Sequence, residues 1–231
     1  MADEVKLLGS CKSPFSRRVE IALKLKGASF ELSDLDVFFS KPPELLQHNP
    51  VHKKIPVLLH RGKAIAESLV ILEYVDEVWS SSGIRLLPED AYERAMARFW
   101  AKFFDDKCIQ PLWMSCWTKG DMQKHLLEES KLHLTTMEGA LKDKKFFGGE
   151  EIGLVDIVVL CSVYWAQIAQ DVFKVDVISE EKHPILCRWM KEITNSDVLK
   201  DCLPPRDELF LVFQTNKDDI AALMTARYGS N

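Results

Sequence analysis

Two groups of residues in the first third of the chain have types and spacings suited to chemistry. One is Ser13-Pro14-Phe15, with Cys11 and Ser16 beside it; the other is the run 49–68, NPVHKKIPVLLHRGKAIAES. A Glu followed by a Ser at a helix start offers a carboxylate for an ammonium group, and a hydroxyl with free backbone N–H groups for a carboxylate. Glu67 and Ser68 could therefore hold an amino-acid-like zwitterion. The plainer alternative is a first-turn Glu beside a capping Ser, and spacing alone leaves the two even. Lys41, Lys53 and Lys54 form a local basic cluster, either point charges for an anion or solvated lysines. Ile55-Pro56 precedes the apolar run Val57-Leu58-Leu59. Pro is tolerated in a sheet on an edge or at a strand's first residue, and this is a place for a cis peptide bond.

These residues need elements to position them. Val5 to Gly9 reads as an apolar strand. Ser13 at N-cap and Pro14 at N1 then open a helix that should end at Gly27, with Phe15, Val19, Ala22 and Leu23 on one face. Phe30 and Leu32 alternate as a second strand, followed by a connecting loop over 34–50. Val57–His60 and Lys63–Ala66 read as a hairpin turning at Arg61-Gly62, and a helix runs from Glu67 towards Trp79. The order is β-α-β, then β-β-α.

Ser80 to Gly83 form a small polar linker with Pro88 on its far side, which divides the chain into domains at 1–82 and 83–231. Beyond it the expected helices span 89–118, 121–142, 154–170, 184–194 and 206–215, with no strand pattern. Gly153 and Asp156, flanked by Ile152 and Ile157, predict a capping box with a hydrophobic staple. This assigns Asp156 to folding.

The 231 residues are 47% hydrophobic, enough for a sizeable core. The six cysteines lie far apart with no C-x-x-C pair, against a zinc site and a secreted disulfide framework. The histidines form no ligand-like cluster, so no metal is expected. A net charge of -5 gives no overall attraction to nucleic acid or anionic lipid. Apolar runs fall far short of the ~18 residues of a membrane span, and Met1-Ala2-Asp3-Glu4 lacks the features of a leader. A cytosolic protein without nucleic-acid or membrane partners is expected.

The succession of strand, cis-Pro strand, hairpin and Glu-Ser helix resembles the thioredoxin-like domain of a glutathione transferase. NPVHKKIPVL and ESLVILEYVDEVW, with Ser13-Pro14-Phe15 and Arg18-Val19 upstream, are similar to the plant tau class. The resemblance is strongest over 5–79 and weak in the last thirty or so residues. It implies an α/β thioredoxin-like domain followed by an all-α helical-bundle domain. It also implies a homodimer and an enzyme that adds the sulfur of glutathione, its co-substrate, to hydrophobic electrophiles, with glutathione-dependent hydroperoxide reduction as a further activity.

Carried onto this sequence, the class's catalytic serine is Ser13. A hydroxyl there can donate to a thiolate while the helix end adds positive potential, lowering a thiol pKa from its usual ~8.5. Ser16 is the alternative hydroxyl. Lys41 and Lys54 match the lysines that meet the glycine carboxylate, Ile55 offers its backbone to the cysteinyl part, and Glu67 and Ser68 match the pair at the γ-glutamyl end. The electrophile pocket is assigned to Cys11, Phe15, Ile109, Leu112, Trp113, Cys116, Trp117, Trp165 and Phe213, although aromatics on helices are more often core. Trp113 and Cys116 stand where some relatives carry Arg and Trp. Two rival readings are a carrier of apolar ligands on the same fold and a thiol oxidoreductase using Cys11, the latter lacking a second cysteine.

Overall fold

β1 (Val5–Gly9) leads through a tight turn into α1 (Pro14–Leu25). Ser13 is its N-cap, with extended backbone and an Oγ that accepts from the Ser16 N–H at 3.3 Å. Pro14 is harmless in the first turn, where N–H groups have no intrahelical partner. At the far end the Ala28 and Gly27 N–H groups reach back to the Leu23 and Lys24 carbonyls, both at 2.9 Å. This closure needs a left-handed residue, and Gly27 supplies it with φ +65°.

The computed structural model describes residues 4–35, 37, 40–199 and 201–228, with side chains as far as 222. After α1 come β2 (Glu31–Asp34), α2 (Pro43–His48), β3 (Val57–His60), β4 (Lys63–Ala66) and α3 (Ser68–Val78). Ile55-Pro56 is cis. The four strands form one sheet in the order β2-β1-β3-β4, with β1 parallel to β2 and the other pairs antiparallel. α2 lies where a plain loop is expected. Pro43 starts it, Leu45 is buried beneath it, and Lys6 anchors Glu44 at 2.8 Å.

The remaining helices are α4 (Ala91–Phe103), α5 (Ile109–Trp117), α6 (Gly120–Leu141), α7 (Leu154–Phe173), α8 (Pro184–Thr194), α9 (Arg206–Thr215) and α10 (Lys217–Tyr228). The single helix expected over 89–118 is broken by a π turn at Phe104–Cys108. Pro111 explains the break, because it lacks the N–H that would bond the Lys107 carbonyl four residues earlier. That oxygen instead meets the His133 ring at 2.7 Å. α10 lies beyond the last helix expected from the sequence.

The segment between α3 and α4 is stitched down at both ends. Ser82 Oγ donates to the Lys26 carbonyl at 3.0 Å, and Asp76 accepts from the Leu86 and Leu87 N–H groups at 2.9 and 3.1 Å. Asp76 also pairs with the buried Lys26 at 2.6 Å. Gly83 is required there: a Cβ would sit 1.9 Å from the Leu25 carbonyl oxygen. Leu154 then donates to Leu86, carrying the chain into α7.

α7 packs against α1, α4, α5 and α9. By length and composition it could cross a membrane, contrary to the sequence expectation, but most of it is buried inside the protein. Its start is the predicted staple, with Ile152 and Ile157 both buried. Asp156 accepts from the N–H groups of Gly153, Phe147 and Gly148 and from the Trp189 indole, all within 2.9–3.0 Å. Glycine has no side chain to return the bond, so only the Asp156 half of the box exists.

Candidate active site

Strand register assembles the first-third residues. β1 and β3 pair Leu8 with Val57, and β3 and β4 pair Val57 with Ala66. One step further along, Pro56 lies between the end of β1 and Glu67. β2 runs parallel to β1 and ends beside it, Gly9 opposite Asp34. The turn carrying Cys11 and Ser13, the Lys54-Ile55 segment and the Glu67-Ser68 helix start therefore emerge at one end of the sheet. Lys41 lies on the segment that leaves β2 at that same end and precedes α2.

The three candidate nucleophile-binding groups differ in environment. Ser13 is half-buried, and its oxygen caps α1 while its hydroxyl hydrogen has no acceptor among the described residues. Ser16 is fully buried and its Oγ accepts from the Ser10 N–H at 3.1 Å, so it faces away from any ligand. Cys11 sits against Asp34, with its N–H donating to Oδ1 at 3.0 Å and its Sγ to Oδ2 at 3.4 Å. Burial, and then the Asp34 bond and charge, push this thiol up from its ordinary value. A reactive cysteine needs the opposite shift. Burial pushes Cys108, Cys116 and Cys161 up to about 12.

Glu67 lies just outside α3, with φ 72° and ψ 116°. Such strain in a non-glycine residue concentrates at ligand clamps. Its carboxylate is about half exposed, with His52 Nδ1 at 3.5 Å. No side chain caps the start of α3, so its first backbone N–H groups open towards the Glu67 side. Ser68 is 7% exposed, and its Oγ accepts from Arg18 at 3.3 Å.

Arg18 is the organising residue that sequence reasoning used only as part of a motif. Its fully buried guanidinium grips Asp105 at 2.9 and 2.7 Å, donates to the Val158 carbonyl at 3.1 Å and Ser162 Oγ at 3.0 Å, and lies 4.8 Å from the Phe15 ring centre. It joins α1 to α3, the π turn and α7. The available signal was a charge on the apolar face of α1, between Phe15, Val19 and Ala22. Asn49 was missed as well. It is buried, donates to the Lys54 carbonyl at 2.9 Å and accepts from the His52 N–H at 3.1 Å, shaping the turn before Ile55. Lys41 and Lys54 are exposed, and Ile55 is half-buried.

The residues assigned to the apolar pocket divide. Cys11, Phe15, Ile109 and Trp113 are half-buried. Trp113 stacks on Trp117 at 6.1 Å, and Phe213 packs on both. Trp117, Phe213 and Cys116 keep only 6%, 6% and 4% exposure. Leu112 and Trp165 belong to the core rather than to an open wall. Both are fully buried, and the Trp165 indole donates to the Lys12 carbonyl at 2.9 Å, fixing the turn that carries Ser13. Among the described residues no group of His, Cys, Asp or Glu could hold a metal ion.

Comparison with known proteins gives the lineage. The model for the N-terminal domain of glutathione S-transferases matches residues 3–77, and the model for their C-terminal domain matches 97–197. The chain is 44% identical to glutathione S-transferase U8 of Arabidopsis thaliana over 212 residues, 92% of this chain and 94% of that protein. It is 43% identical to glutathione transferase GST 23 of Zea mays, over 94% of this chain and 96% of that one. The tau-class enzyme of mango, Mangifera indica, superposes with a TM-score of 0.84 at 38% identity, covering 92% of this chain and 98% of its own. Rice GST1, solved in complex with glutathione, superposes with a TM-score of 0.83 at 33% identity over 99% of both chains. The chain belongs to the glutathione S-transferase family, in its plant tau class.

Proposed function

We propose that this protein ionises the thiol of glutathione at Ser13 and transfers the sulfur to hydrophobic electrophiles in the cytosol. The thiolate attacks the electrophilic carbon, a new C–S bond forms, and the leaving group departs with the electron pair it held. The observation that carries the reading is the state of Ser13: its oxygen is engaged by the helix cap and its hydrogen meets no acceptor among the described residues, at the positive end of α1. Glu67 takes the γ-glutamyl ammonium, and Ser68 with the α3 start takes the adjacent carboxylate. The Ile55 backbone pairs with the cysteinyl unit, while Lys41 and Lys54 draw the glycine carboxylate. Ile109, Trp113 and Phe15 supply the apolar face for the second substrate. Hydroperoxide reduction uses the same thiolate: it attacks the peroxide oxygen, the O–O bond breaks and the alcohol leaves, and a second glutathione then displaces the hydroxyl of the resulting sulfenic acid as water to give the disulfide.

Ser13→Ala removes a hydrogen bond to an anion, worth roughly 1.5–3 kcal/mol. The bound thiol's pKa should rise by about 1–2 units, read from thiolate ultraviolet absorbance against pH. Glutathione affinity should stay nearly constant and Cys11→Ser should leave conjugation intact. An unchanged thiol pKa in Ser13→Ala, or lost turnover in Cys11→Ser, would sink the assignment.

The homodimer belongs to the same proposal, through α3 and α4, the helices either side of the 80–83 linker, whose Glu73, Asp76, Glu77, Arg94 and Arg98 the sequence offers as complementary charges. Asp76 is buried against Lys26, and Glu73 pairs with Arg98 of its own chain at 2.8 Å, so neither acid is free to reach a partner. What supports association is apolar exposure on the same two helices: Val70 is 54% exposed, Tyr92 68% and Phe99 53%. Large apolar residues left exposed on neighbouring helices are the kind of surface that takes part in association when they form one patch. Glu77 and Arg94 line one cleft between the same helices, and Arg94 also donates to the Pro88 and Glu89 carbonyls of its own chain at 3.1 and 2.7 Å. Light scattering at micromolar concentration should give about twice 26.4 kDa. Tyr92→Glu with Phe99→Glu should give the monomer mass; an unchanged dimer would remove this face from the interface.

A further inference from the structure

Glu67, which takes the glutathione ammonium in the reading above, faces a group of its own protein that can carry the same charge: His52 Nδ1 lies 3.5 Å from Glu67 Oε1. We propose, resting on that role of Glu67, that His52 is a positioning residue of the glutathione site, whose charge sets how strongly Glu67 holds the ammonium.

Backbone constraints hold both partners in place. The buried Asn49 side chain accepts from the His52 N–H at 3.1 Å and donates to the Lys54 carbonyl at 2.9 Å, and the Asn49 carbonyl accepts from the Lys53 N–H at 2.9 Å. Lys53 completes this turn with φ 54°, and Glu67 is held at φ 72°. The two side chains themselves are 53% and 55% exposed, so a ligand can reach the carboxylate beside the imidazole. At 3.5 Å the ring nitrogen is beyond the ~2.7–3.2 Å of an N–H···O hydrogen bond, and a neutral imidazole leaves the lone pairs of the carboxylate to a ligand. An imidazolium there neutralises Glu67 and repels a second cation brought to the same oxygens. The other charged or titratable groups on the converging segments are Lys53 and Lys54 on the same turn, His48 at the end of α2 and Lys41 before it. A lysine ammonium keeps its charge between about pH 5 and 8, whereas that is the range in which an imidazole ordinarily changes its own. Binding of the ligand ammonium therefore expels the His52 proton. Affinity is highest with His52 neutral and falls as acidification charges it.

The test is calorimetric titration of the full chain with S-hexylglutathione at about pH 7.5 and about pH 5.5, where the ligand's ammonium and carboxylates keep their charges. Its sulfur is capped, so ionisation of a bound thiol at Ser13 adds no pH dependence. Wild-type affinity should fall about two- to fivefold from the higher pH to the lower, the range of an exposed ion pair. His52→Gln should flatten this profile at the high-affinity level. His52→Lys, with a permanent charge, should flatten it at the low-affinity level. His48 stays in every variant, so its contribution is common to all the curves. A wild-type slope preserved in His52→Gln, or His52→Lys binding as tightly as wild type at about pH 7.5, would overturn the proposal. Glu67→Gln separates this inference from the one beneath it, and should weaken binding at both pH values. If it does not, the ammonium is held elsewhere and both readings of the site fall; if it does while His52→Gln keeps the wild-type slope, the His52 assignment alone falls.

Discussion

Arg18→Met is the most informative single perturbation of the fold. It removes a fully buried guanidinium and five hydrogen bonds: two to Asp105, and one each to Ser68, Val158 and Ser162. Asp105, 21% exposed, becomes a carboxylate without its counter-charge, and the buried Ser162 hydroxyl loses its donor. Breaking one partner of a buried ion pair costs roughly 3–5 kcal/mol. Out of a typical total near 5–15 kcal/mol this is a large loss. For a chain of this size it corresponds to a melting temperature lower by about 6–20 °C. The double variant Arg18→Met, Asp105→Leu removes the stranded charge together with its partner and should recover about half the loss, since hydrophobic replacement of a whole buried pair is often neutral. Urea unfolding of wild type, both singles and the double closes the cycle. Arg18→Met should also raise KM for glutathione, because Ser68 Oγ loses the donor that fixes its lone pairs. A single variant within about 1 kcal/mol of wild type, or a double no more stable than Arg18→Met, would refute the role assigned to this cluster.

Two further outcomes follow from buried polar groups in the helical part. Asp156→Ala strands three backbone N–H groups and the Trp189 indole, and should cost roughly 3–5 kcal/mol in urea unfolding; a loss below about 1 kcal/mol would contradict the accounting. His183 is buried, with neither ring nitrogen hydrogen-bonded to a side chain among the described residues, and burial lowers its pKa against the opposing pull of Glu138 and the Lys131 backbone. The unfolded state therefore binds the proton first: the stability contribution is present above the unfolded value of ~6.5 and is lost as pH falls through the folded pKa. His183→Leu should flatten the slope of unfolding free energy against pH just below ~6.5, by up to about 1.4 kcal/mol per pH unit for one proton. An unchanged slope would show that His183 takes up its proton equally in both states.

What the sequence determined by itself was whatever is decided within a few residues. The Ser13-Pro14 helix start, the Gly27 stop, the cis bond before β3, the Arg61-Gly62 turn and the Asp156 staple each rest on a backbone preference or a neighbour three or four positions away, so residue types suffice to find them. Their order along the chain, matched to a known class, was enough to indicate the fold. Tertiary structure decided the rest. Asp76 reads as a surface charge on α3 and becomes an anchor only because Lys26, fifty residues earlier, is brought beneath it. Trp165 and Leu112 look equivalent to Trp113 on a helical pattern, and only packing against the Ser13 turn and the core separates the enclosed from the half-exposed. The π turn needs both Pro111 and a distant His133 to take the freed carbonyl. Arg18 joins four elements whose sequence positions span more than 140 residues. A buried charge is tolerable only when such partners converge, and convergence is a property of the folded chain that no local window contains.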